Sequence, residues 1–151
     1  MWRLVFVGWL FALSLFGPAA ADQIDGRVLK YQHRENAPNP LAEGVAAYQH
    51  GDYATAMRLL RPLAADQGMA LAQFSLGVMY ANGNGVLQDY AQAAMWYRKA
   101  GDQGDDEAQG NLGAMYAKGQ GVPQDYAEAA NWYRKAADQG NKDAKMWLAA
   151  H

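Results

Sequence analysis

The chain repeats itself. The segments AQFSLGVMYANGNGVLQDYAQAAMWYRKAGDQG (72–104) and AQGNLGAMYAKGQGVPQDYAEAANWYRKAADQG (108–140) agree at 24 of 33 positions, without a gap, at an offset of 36 residues. Self-similarity at such a period marks a stacked array. One unit cannot bury its own apolar face, so neighbouring units share a core. A third copy starts at Ala144, with Leu148 in register with Leu112 and Leu76. Upstream, DYATAMRLLRPLAADQG (52–68) echoes DYAQAAMWYRKAGDQG (89–104) with one extra residue, and GVAAYQHGDY supplies a first half with a shorter loop. The units therefore run over about 40–68, 70–104 and 106–140, with a partial unit at 142–151.

Each unit reads as two helices. Ala72, Leu76, Gly77 and Tyr80, then Ala108, Leu112, Gly113 and Tyr116, fall on one helical face, which predicts helices near 70–81 and 106–117. Tyr90, Ala93, Ala94, Tyr97 and Ala100, matched by Tyr126, Ala129, Ala130, Tyr133 and Ala136, predict helices near 90–102 and 126–138. Asp89 and Asp125 suit N-caps, and Gln92 and Glu128 three residues on would complete capping boxes. Gly104 and Gly140 suit the left-handed residue after a helix, and Asp105 and Asn141 can cap the helix that follows. The loops at Gly83-Asn84-Gly85 and Gly119-Gln120-Gly121 reverse the chain within a unit. Gly77 and Gly113 lie inside helices, at a cost of about 1 kcal/mol each against alanine, which implies close approach by a partner helix. Trp96, Tyr97, Trp132 and Tyr133 are expected to fill the space between successive pairs.

The N-terminus is an address. Arg3 precedes an apolar run from Leu4 to Phe16, Gly17-Pro18 breaks it, and Ala19-Ala20-Ala21 offers an A-x-A cleavage site before Asp22. As a helix the run would be about 20 Å long, whereas a bilayer core needs roughly 30 Å. Residues 1–21 are thus expected to be a cleaved export signal, leaving no membrane insertion, with the periplasm favoured over full secretion. Residues 22–39, which hold Pro38, show no sustained periodicity and read as a loosely ordered arm. With no cysteine, the chain has no thiol chemistry and suits an oxidising compartment. Its net charge of −2 gives no basic footprint for nucleic acid.

The pattern L-G-x-M-Y-x-x-G-x-G-V-x-Q-D-Y-x-x-A-x-x-W-Y-R-K-A-x-x-Q-G resembles the Sel1-like repeat, a relative of the tetratricopeptide repeat with a longer inter-helix loop. The likeness covers about 70–148 closely. It is looser over 40–68, where HGDYATA is more like the shorter tetratricopeptide unit. It implies an all-α fold: a short right-handed α-solenoid of about three helix-turn-helix repeats plus a C-terminal capping helix. It implies a non-catalytic adaptor, scaffold or envelope regulator that binds a protein or peptide on its concave face. The second reading it implies is an envelope enzyme or a β-lactam or peptidoglycan binder. The cysteine-rich members linked to β-lactams carry a disulfide in each repeat, and this chain has none.

Reactive chemistry finds no foothold in the residues. His33, His50 and His151 are scattered, so no metal or cofactor is expected. Asp105-Asp106-Glu107 reads as negative charge at a helix N-terminus. Arg98-Lys99 and Arg134-Lys135 read as a solvated outer row. In arrays of this type the first helix of each pair lines the groove. The candidate partner-binding residues are therefore Leu41, Val45 and Tyr48 in the first unit and Leu71, Phe74, Val78 and Asn82 in the second. In the third the row is Glu107, Gly110, Ala114 and Lys118, of which Ala114 and Lys118 complete the candidate set. The exchange of Phe74 for Gly110 breaks an otherwise tight repeat, and a bulky apolar residue beside a groove suits a partner helix or peptide. Self-association through the open ends of the array is a further expectation. Met146 and Leu148 are expected to cover the last face, with Trp147 partly exposed.

Overall fold

The computed structural model describes residues 39–151, so the signal segment 1–21 and all of the arm except Asn39 lie outside the described residues. Seven helices follow one another: α1 (Pro40–Gln49), α2 (Tyr53–Ala65), α3 (Ala70–Asn82), α4 (Tyr90–Asp102), α5 (Asp106–Lys118), α6 (Tyr126–Asp138) and α7 (Lys142–Ala150). No strand occurs among the described residues. Each helix packs on the next, and α3 also touches α5 directly, so the first helices of successive units are neighbours.

The helices start and stop where short polar side chains and glycines dictate. Asp89 Oδ1 accepts the amide of Gln92 at 3.0 Å, and Asp105 Oδ1 that of Ala108 at 2.8 Å. Asp125 Oδ1 accepts two amides, from Ala127 and Glu128, at 2.9 and 3.0 Å, while Asn141 serves Ala144 at 3.0 Å. Alanine at Asp125 should therefore cost about 1 kcal/mol, read as a lower thermal midpoint. The expected capping boxes do not close. The amides of Asp89 and Asp125 donate instead to the carbonyls of Tyr80 and Tyr116, at 2.9 and 3.0 Å, in the preceding helix of the same unit. A backbone bond across the hairpin thus replaces the side-chain return of Gln92 and Glu128. Gly104 and Gly140 adopt positive φ after α4 and α6, as expected, and Gly83 and Gly119 close α3 and α5 in the left-handed region.

Packing is built from small residues facing large ones. A Cβ on Gly77 would stand 2.6 Å from the Tyr97 ring, one on Gly113 3.0 Å from the Tyr133 ring, and one on Gly44 2.7 Å from Leu60. The missing side chain is what lets the two helices of each unit close. The tyrosines fill space within their own unit and between units as well: Tyr97 shares a cluster with Ala108 and Leu112 of the next unit, and Tyr133 is stacked by Trp147. The tryptophans reach across too. Trp96 of α4 joins the core of α2 and α3 with Leu60, Leu76 and Met79, and Trp132 of α6 joins that of α4 and α5 with Ala100, Leu112 and Met115. The repeated cations lie over these rings: Lys99 Nζ is 4.5 Å from the Trp96 centroid and Lys135 Nζ 4.0 Å from that of Trp132. Arg61 and Arg98 donate to the hydroxyls of Tyr80 and Tyr116 in the next unit. The basic row is therefore part of the inter-unit seam as well as a solvated edge.

A buried glutamine relay stitches the units further. Gln73 Nε2 donates to the Ala64 carbonyl at 3.1 Å, and its Oε1 accepts from Gln103 at 2.7 Å. Gln109 repeats this with Gly101 at 2.8 Å and Gln139 at 2.9 Å. Both amides are buried, and an amide so placed is tolerated only when hydrogen-bonded. At the C-terminal end Trp147, not Met146, does the covering. Trp147 stacks on Tyr133 with centroids 4.5 Å apart, Leu148 packs against the same cluster, and Met146 is 68% exposed. The register of α7 turns Met146 outward, and Trp147, covered on its Tyr133 side, stays partly exposed as expected.

Candidate functional site

The candidate residues of the three units fall into different environments. Leu41, Val45 and Tyr48 on α1 pack against the first core, and Tyr48 also packs on Tyr53 and accepts a hydrogen bond from Asn84 at 3.3 Å. All three are half-buried, as Phe74 and Val78 are in the second unit. On α3, Leu71 is 47% exposed, Phe74 and Val78 are half-buried against the second core, and Asn82 is exposed. The Phe74 ring leans on Tyr97 at 5.9 Å, so Phe74 both packs and faces outward. On α5, Ala114 is half-buried and Lys118 exposed.

Where Phe74 fills the second unit, Gly110 leaves the third open. A pocket of about 330 Å³ lies there, lined by Glu107, Gly110, Asn111, Ala114, Tyr133, Asn141 and Asp143. Burial pushes the Tyr133 hydroxyl above the usual phenol range, and the charge of Asp143 adds to the shift. Burial does the same to Tyr97, with Tyr48 contributing. Both phenols are neutral at physiological pH and can donate or accept a hydrogen bond. A second hollow of about 340 Å³ lies against α6 and α7, between Tyr126, Arg134, Trp147 and His151. Its wall is an aromatic stack, with His151 on Trp147 at 4.4 Å.

Reading single units in sequence missed the pocket because its walls come from three helices. Glu107 and Gly110 sit on α5, Tyr133 on α6 and Asp143 on α7. The signal was the non-identity itself. Leu71, Phe74 and Val78 become Glu107, Gly110 and Ala114 at the 36-residue offset, an apolar row turned acidic and small. Among the described residues no group of three histidine, cysteine, aspartate or glutamate side chains is placed to hold a metal ion. No described helix is long and apolar enough to cross a membrane.

Stacked helical hairpins with short polar caps, glycine-faced tyrosines and backward-reaching tryptophans define a helical repeat protein. The Sel1 repeat family matches residues 70–105 and 106–141. The chain is a Sel1-like repeat protein of the tetratricopeptide-like superfamily. A solved Sel1 repeat protein from Oxalobacter formigenes is similar at 38% identity and a TM-score of 0.66, over 71% of this chain and 44% of that one. A protective antigen of uropathogenic Escherichia coli strains with an SLR fold is similar at 40% identity and a TM-score of 0.66, over 79% of this chain and 26% of that one. The chain thus spans less than half the length of either relative. Cysteine rich protein B of Helicobacter pylori shares the fold at 23% identity and a TM-score of 0.55, over 69% of this chain and 93% of that one. No curated protein matches the chain. Sel1 repeats are generally protein-interaction modules, and the family is typically a non-catalytic scaffold.

Proposed function

We propose that the chain is an exported adaptor that holds a partner protein or peptide along the face lined by α3 and α5. The observation that carries this reading is Leu71, an apolar side chain 47% exposed on the same face as half-buried Phe74 and Val78. An exposed leucine flanked by partly covered apolar neighbours suits the apolar anchor of a partner helix or extended peptide. The direct approach of α3 to α5 supports a continuous face across two units. Export rests on the sequence 1–21 and directs the search for the partner to the cell envelope.

The test follows the chain after expression in a bacterial host. The full chain is produced, recovered from the periplasmic fraction with Asp22 as its first residue, and cross-linked to its envelope neighbours. Leu71→Glu places on α3 the residue that α5 carries at the same position, so helicity and thermal midpoint should hold. Losing one leucine anchor of about 1.5–3 kcal/mol should cut partner recovery tenfold or more. Phe74→Ala is the poorer probe, because Phe74 also packs on Tyr97. Undiminished recovery by Leu71→Glu would remove the face from consideration. Light scattering separates an adaptor from a self-stacking unit, since self-association would show a mass above that of one chain at all working concentrations.

A further inference from the structure

The structure assigns to the hollow between α6 and α7 the role of a socket for a tyrosine side chain, presented on a helix of another protein. The site lies apart from the α3–α5 face and stands or falls independently of it.

Two closed seams in the array show what this hollow is built to hold. Arg61, Arg98 and Arg134 are each the ninth residue of their helices, α2, α4 and α6. Arg61 Nη2 donates to the Tyr80 hydroxyl at 2.9 Å, and Arg98 Nη2 donates to that of Tyr116. The Arg98 guanidinium also lies 5.7 Å from the centre of the Tyr116 ring. Each of these tyrosines arrives on the first helix of the following unit. Beside them the loops at Gly85 and Gly121 rest on the backbone of Tyr53 and Tyr90, the first residues of α2 and α4. Ala94 of α4 is 4% exposed in the cluster against which Tyr116 packs.

The third seam carries the receiving half of this contact and is open. Tyr126, Ala130, Arg134, Trp147, Leu148 and His151 surround about 340 Å³. Tyr126 is 56% exposed, against 36% for Tyr90, and Ala130 is half-buried where its counterpart Ala94 is closed over. Arg134 is held ready. Its Nη1 donates to Asn131 Oδ1 at 3.1 Å, and α4 has Met95 at the place of Asn131. Its Nη2, the atom that takes a tyrosine in both earlier seams, has no partner among the described residues.

A fixed donor beside an aromatic and aliphatic wall selects a ring that carries an acceptor. A phenol oxygen accepts from guanidinium, and guanidinium stacks on aromatic rings. The volume is at the lower end of the range of about 300–1,000 Å³ that holds small ligands, which suits a single side chain. An aliphatic residue would leave Nη2 unpaired. A carboxylate would satisfy Arg134 but leave Trp147 and Leu148 uncovered. The described tyrosines of a second copy do not supply the ring. Each is buried, packed against its own chain, or has its hydroxyl taken by a side chain of its own chain. The occupant is therefore a different protein, and its docking continues the seam that the array has already made twice.

The test titrates N-acetyl-tyrosine amide, N-acetyl-phenylalanine amide and N-acetyl-glutamate amide into the isotope-labelled full chain. Backbone amides and the Arg134 guanidinium resonances are followed. Tyrosine amide should shift Ala130, Leu148 and the Arg134 guanidinium saturably. Phenylalanine amide, which fills the hollow without accepting, should bind about tenfold more weakly. Glutamate amide should leave Leu148 unmoved. Arg134→Met should erase the preference for tyrosine over phenylalanine while the thermal midpoint holds, because Arg134 is exposed. Ala130→Trp, which plugs the hollow, should abolish binding of both rings. Equal affinity for the two rings in the parent, a preference retained in Arg134→Met, or binding retained in Ala130→Trp would overturn the socket. A mass of two chains in light scattering, restored to one by Ala130→Trp, would give the hollow to a second copy and overturn the foreign partner.

Discussion

Alanine at Gly121 is expected to destabilise the chain by about 3 kcal/mol, from strain and overpacking together. Gly121 has φ of +69°, a conformation that costs an L-residue about 1–2 kcal/mol. The larger part of the effect is contact. A Cβ there would collide with the backbone of Tyr90 and Ala91 at the start of α4, in the preceding unit. Backbone cannot rotate away as a side chain can, so the loop must lift from the helix it rests on. Gly85 meets Tyr53 in the same way one unit earlier, with a Cβ distance of 2.7 Å. Gly104→Ala is the control: φ is +96°, but nothing lies within 4 Å of the added carbon. It should lose only the strain, about 1 kcal/mol. Chemical denaturation of the two variants checks the difference. Equal losses would mean that the loop does not bear on the neighbouring unit.

Leu112→Ala is expected to cost about 3–5 kcal/mol, the upper range for a leucine removed from a closed core. Leu112 is fully buried in the middle of α5 and shares a cluster with Ala100 of α4 and Trp132 of α6. The void would open between two units, where the seam is already fixed by the Gln109 relay to Gly101 and Gln139 and has little freedom to collapse. Met146→Ala, on a side chain that points outward, should stay within about 0.5 kcal/mol of the parent. Unfolding midpoints in urea with an unchanged slope measure both. A cost below about 1 kcal/mol at Leu112 would mean that the inter-unit core is not closed around it.

The helices were legible because their signals are local. Asp89 and Asp125 before an apolar-periodic stretch, and Gly104 and Gly140 after it, give 90–102 and 126–138, where α4 and α6 lie. The first helices run one residue past the expected 81 and 117, because Asn82 and Lys118 complete the last turn before a left-handed glycine. Gly77 and Gly113 announced close approach, and the rings of Tyr97 and Tyr133 answer it. What was not legible depends on partners distant in sequence. The capping boxes failed because the Tyr80 and Tyr116 carbonyls reach the cap amides first. The glutamine relay joins Gln73 to Gln103, and periodicity alone gives no reason to pair them. The groove row was assigned by analogy with the repeat, which says nothing of how far the irregular first unit packs Leu41, Val45 and Tyr48 against its core. The pocket needed Asp143 of the following unit beside Tyr133, a juxtaposition that only the stacking creates.

Because each hairpin is locked by a main-chain bond from Asp89 or Asp125 to a tyrosine carbonyl, its frame does not depend on the residues it displays. The second and third units hang different side chains on the same scaffold. The hollow should therefore be portable: glutamate, glycine and alanine at positions 71, 74 and 78 are expected to open its counterpart one unit back along the array.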